Sequence, residues 1–77
     1  MYDYLRNLLQ ETFWVNGEIA PGKSFEDLDL DSLTTAEICA NLEDSLKVTI
    51  DDEEVTQQTT LDELADLLHR KGAVLSA

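Results

Sequence analysis

Seventy-seven residues carry 17 acidic side chains against 5 lysines and arginines, for a net charge of −12. A chain of this length has room for one domain, spanning 1–77, with a thin core burying only about 60% of the unfolded surface, which leaves little for a deep catalytic cleft. A single cysteine excludes an internal disulfide, and the negative field repels nucleic acid and anionic membrane surfaces while favouring basic partners. No apolar run approaches the ~20 residues that span a bilayer. Met1-Tyr2-Asp3-Tyr4 lacks the basic and apolar regions of a signal peptide, so the expectation is a cytoplasmic protein. Acidity can also serve solubility alone, and only the placement of the acids separates that role from partner steering.

Leu5, Leu8, Leu9 and Phe13 fall at i, i+3, i+4 and i+8. This spacing predicts a first helix over about 3–15, with Trp14 a semi-buried member of it and Gly17 its stop. A loop through Pro21 and Gly22 follows, with Phe25 and Leu28 as anchors against the core. Asp31 is a good N-cap for a second helix running to about Lys47. Val48-Thr49-Ile50 has the composition of a strand, but three residues without a partner strand make no sheet. Asp51–Val55 reads as one short helical turn. Thr60-Leu61-Asp62-Glu63 fits a capping box, opening a last helix on Leu61, Leu64, Ala65, Leu67 and Leu68 that ends near Gly72. The fold class is all-α, a small four-helix bundle of three main helices plus one short helix.

At 100° per residue, the second helix turns Thr35, Ile38, Cys39, Leu42 and Leu46 toward the core. Leu33, Glu37, Ala40 and Asp44 lie nearly opposite, in a stripe that begins beside Ser32. An exposed leucine alone needs no explanation. Flanked by carboxylates and set beside an accessible serine, it reads as a docking strip with an apolar centre and a charged rim. Asp52, in the acidic run 51–54, is placed with these partner-binding residues.

The triplet Asp31-Ser32-Leu33, Glu37-Ile38 one turn later, Leu42-Glu43, Ile50-Asp51 and the helix lengths together resemble the acyl carrier protein family. The resemblance covers nearly the whole chain, from the first helix to Leu68. It implies a four-helix bundle in which Ser32, between Asp31 and Leu33, receives a covalent 4'-phosphopantetheine arm from a phosphopantetheinyl transferase. The arm's thiol then holds an acyl group as a thioester. The other implied partners are acyl-loading, condensing and tailoring enzymes with basic docking patches, and the protein is a monomeric carrier, not an enzyme. Many family members have glycine where this chain has Asp29, and many fatty-acid carriers have an acid where it has Thr34. Lys47 and Thr49 thin the acidic surface, and Leu30 is more like secondary-metabolite carriers. The resemblance therefore points to a discrete carrier of polyketide or other specialised metabolism, with an aminoacyl or peptidyl carrier and a fatty-acid carrier as alternatives.

Two other classes fit the residues less well. Asp27, Asp29 and Asp31 alternate like the first ligands of a calcium-binding loop, but Ser32 stands where the turn needs glycine and Ile38 where a bidentate glutamate belongs. An enzyme is disfavoured by one histidine, His69, one cysteine, Cys39, and no glycine-rich phosphate loop or metal-ligand cluster. Cys39 reads as a core residue, and His69 as a cation near a helix C-terminus.

Overall fold

The computed structural model describes residues 1–15, 17–51 and 53–73. Three α-helices, Tyr2–Glu11 (α1), Ser32–Leu46 (α2) and Leu61–Arg70 (α3), carry the fold. Their inward residues meet in one core of Leu5, Leu9, Ile38, Leu42, Leu64 and Leu68, which Phe25 joins from the loop. Each helix thus buries the stripe that its 3.6-residue period dictates.

α1 is shorter than its hydrophobic spacing predicts, and Trp14 is not part of it. After Thr12 the chain folds back, with Phe13 N–H reaching Leu8 O and Val15 N–H reaching Leu9 O at 2.9 Å. Trp14 takes a left-handed backbone (φ 52°) and is 77% exposed. Consecutive aromatic and β-branched residues at 13–15 are weak helix formers. Packing wins here: the turn keeps both Phe13 and Val15 half-buried, at the expense of Trp14.

The segment before α2 is a single helical turn, capped at both ends. At its start Ser24 and Asp27 bond reciprocally, Ser24 N–H to Asp27 Oδ2 (3.0 Å) and Asp27 N–H to Ser24 Oγ (3.1 Å). At its end Asp29 is left-handed (φ 60°), Leu30 N–H reaches Phe25 O and Asp29 N–H reaches Glu26 O, both at 3.0 Å. That bonding pattern is a Schellman cap. It drives Phe25 and Leu28 into the core, as their apolar character predicts.

The predicted fourth helix is reduced, among the described residues, to a turn closed by Glu54 N–H on Asp51 O (2.9 Å). Two ties hold this region. Ile50 N–H donates to Glu43 Oε2 on α2 (3.2 Å), and Lys71 Nζ lies 2.8 Å from Glu54 Oε1 beyond the end of α3. α3 opens with the predicted capping box, Glu63 N–H on Thr60 Oγ1 and Thr60 N–H on Glu63 Oε1. It closes on Gly72 (φ 80°), as its sequence predicts.

Candidate functional site

Asp31 builds the start of α2. Its Oδ1 accepts from Thr34 N–H at 2.8 Å, and its backbone carbonyl accepts from both Thr35 N–H (3.0 Å) and Thr35 Oγ1 (2.9 Å). The bond from Thr34 N–H holds the Asp31 carboxyl below its ordinary range. Ser32, the first helical residue, is exposed, and Leu33 beside it is 67% exposed. Among the described residues no protein acceptor takes the N–H of Ser32 or Leu33. Such free N–H groups at a positive helix end favour a phosphate.

The segment carrying Ser32 is braced from across the fold. Gln57 Nε2 donates to Leu30 O (3.0 Å), Glu26 N–H donates to Gln57 O (2.8 Å), and Gln58 Nε2 donates to Glu26 Oε2 (2.8 Å). Leu61 and Asp62 N–H groups reach the carbonyls of Lys23 and Pro21. A one-residue cap thus sits on a frame tied to α3.

A cavity of about 520 Å³ opens beside Ser32. Along α2 its wall is Ser32, Thr35, Ala36, Cys39 and Glu43, a continuous stripe at helical spacing. Ile50, Val55, Thr56, Gln57 and Gln58 form the facing wall. Cys39, expected in the core, is half-buried, packs against the core and also lines this cavity. The facing wall lies outside what local periodicity reveals. The signal that α2 offers is the run of small side chains, Ala36 and Cys39, at four and seven residues after Ser32.

Leu33, Glu37, Ala40 and Asp44 are all exposed along α2, while Asp52 lies outside the described residues. The alternating acids do not converge: Asp27 is spent on Ser24 N–H and Asp31 on Thr34 N–H. Among the described residues no group of His, Cys, Asp or Glu is placed to hold a metal ion.

The family model described as "Phosphopantetheine attachment site" matches residues 3–68. An acyl carrier protein of Myxococcus xanthus is 40% identical over 60 residues, covering 77% of this chain and 76% of that protein. An acyl carrier protein of Micrococcus luteus is likewise 40% identical over 60 residues, covering 77% of this chain and 74% of its own length. The chain belongs to the acyl carrier protein family. It is therefore a carrier and not a catalyst, and its prosthetic group is 4'-phosphopantetheine. Carriers of this family work with phosphopantetheinyl transferases and with biosynthetic enzymes. No solved structure matches the chain at a significant level. No helix among the described residues is long and apolar enough to cross a membrane.

Proposed function

We propose that Ser32 is the attachment residue, and that the chain acts as one carrier domain, a cytoplasmic monomer, in polyketide or related specialised metabolism. The observation that carries the assignment is an exposed serine at the first position of α2, at the mouth of the cavity, with its helix capped by a different residue. Because Asp31 does the capping, the Ser32 hydroxyl is free to be esterified without loosening the helix. The free N–H groups of the first turn would hold the phosphodiester, and the arm supplies a thiol on which acyl groups ride as thioesters. A tethered intermediate gains effective concentration at each partner enzyme. Leu30 and Thr34, where the sequence departs from many fatty-acid carriers, and the Glu43, Gln57 and Gln58 side chains lining the cavity support a specialised cargo over a plain fatty chain.

Leu33, Glu37, Ala40 and Asp44, with Asp52, form the proposed docking strip. Its support is the run of exposed acids along α2 beside an exposed leucine. Transferase, loading, condensing and tailoring enzymes would meet it with basic patches.

The test is Ser32→Ala. Incubated with a broad transferase and coenzyme A, the native protein should gain the mass of one phosphopantetheine and the variant none, with unchanged helical content. An alanine variant that still gains the arm would place the site on another serine. Ser24 is a poor substitute because it is buried and caps the preceding turn. Ser45 would be next, and Ser76 lies outside the described residues.

A further inference from the structure

We propose that the cavity beside α2 selects acyl groups bearing a hydrogen-bond donor, a hydroxyl or an amino group, over plain alkyl chains and over acyl groups bearing a second carboxylate. This rests on attachment at Ser32. The stripe from Ser32 to Glu43 spans twelve residues of helix, a rise of about 16 Å at 1.5 Å per step, so the cavity runs well along α2. Ala36, Cys39, Ile50 and Val55 give it a largely apolar lining, interrupted by polar side chains.

The polar groups on those walls are biased toward acceptors. Gln57 and Gln58 both line the cavity, and both spend one side-chain N–H elsewhere, on Leu30 O and on Glu26 Oε2. What each has left to offer is its amide oxygen and one remaining N–H, so the excess of acceptors comes from the carboxylates. Glu43 is a half-buried carboxylate at the far end of the stripe, anchored there by Ile50 N–H on its Oε2. Asp51 adds a second carboxylate, and among the described residues no lysine, arginine or histidine lines the cavity.

This surface sorts cargo by chemistry. An alkyl chain entering it gains from the apolar lining but strips water from the Glu43 carboxylate and the glutamine oxygens without returning a hydrogen bond. A cargo hydroxyl or ammonium donates to those same oxygens and restores what desolvation removed. A second carboxylate on the cargo meets Glu43 and Asp51 as a like charge at short range.

The test uses the native protein loaded at Ser32 with butyryl, 3-hydroxybutyryl, β-alanyl and malonyl groups from their coenzyme A thioesters. Intact mass establishes equal loading. Thioester cleavage by hydroxylamine is then timed, each rate divided by that of the same acyl group on free pantetheine. The backbone amide resonance of Ile50 reports entry into the cavity. The 3-hydroxybutyryl or β-alanyl thioester should be protected about threefold to tenfold over butyryl, the range one hydrogen bond supports, and should shift the Ile50 resonance. Malonyl should be unprotected. Protection of only the hydroxyl form names a hydroxyacyl cargo, and of only the amino form an aminoacyl cargo. Glu43→Gln keeps an acceptor for Ile50 N–H but loses the charge, so it should diminish β-alanyl protection most. Butyryl or malonyl protected as well as the donor-bearing groups overturns the proposal, as does a series that Glu43→Gln leaves unchanged. Failure of every group to load, seen by mass beforehand, refutes the attachment at Ser32 instead and the cargo selection with it.

Discussion

Replacing Asp29 by glycine should stabilise the protein, although the side chain lies at the edge of the functional site. Asp29 occupies the left-handed position of a Schellman cap (φ 60°). The chain carries its own comparison at the end of α3, where Gly72 (φ 80°) has the same bonding, Gly72 N–H on His69 O and Ala73 N–H on Leu68 O. An L-residue held left-handed costs roughly 1–2 kcal/mol, toward the lower end for aspartate, whose short polar side chain tolerates the region. Glycine removes that strain but gives back roughly 0.5–1 kcal/mol through its freer unfolded chain. The carboxylate is exposed and, among the described residues, makes no hydrogen bond, so little else is lost. A net gain of about 0.5 kcal/mol raises the melting temperature by roughly 2–4 °C in a domain of this size. Urea and thermal unfolding followed by circular dichroism, on the glycine, asparagine and alanine variants, separates the causes. Asparagine keeps the left-handed tolerance without the charge, and alanine keeps neither, so glycine should be most stable and alanine least. A glycine variant no more stable than the alanine variant would refute the strain argument. Equal gains for glycine and asparagine would assign the effect to charge repulsion.

Because −12 of net charge on so small a surface repels itself, moderate salt or millimolar magnesium should raise the melting temperature. A flat or falling temperature would mean that ion pairs such as Lys71–Glu54 dominate instead. Glu37→Lys or Asp44→Lys should slow loading by the transferase, most at low salt, whereas Leu33→Ala should weaken docking with less salt dependence. Glu11→Lys, at the end of α1, is the control; an equal loss there would make the acidity a diffuse field and not a docking strip. In acid, Asp27, Asp31 and Glu63 are held below their ordinary range by backbone N–H groups, and Glu54 chiefly by Lys71. Depressed folded values mean that their stabilisation is complete above the unfolded value of about 4 and is lost as pH falls through the folded values. Asp31→Asn, which can still cap but carries no charge, should therefore lose that charge-dependent part at neutral pH and flatten the unfolding-versus-pH slope below about pH 4; an unaltered slope would remove Asp31 from that account.

The amino-acid order alone determines the three main helices, their buried faces, the Asp31 cap and the Thr60–Glu63 capping box. All of these depend on residues within a turn or two of each other, where periodicity and capping chemistry act. The proposed attachment serine is legible for the same reason, since its exposure and its neighbours belong to one helix start. The end of α1 is not. The spacing through Phe13 fits a helix, and only the competition to bury both Phe13 and Val15 turns the chain out at Trp14. Cys39 has the phase of a core residue and packs against the core, yet it also lines a cavity that Ile50 and residues 55–58 close from the other side. That segment is polar and aperiodic, and its hold on the site runs through Gln57 Nε2 to Leu30 O, 27 residues away. Contacts of that range leave no local pattern, so the depth and polarity of the cavity are decided only when the helices pack and the loops are drawn across them.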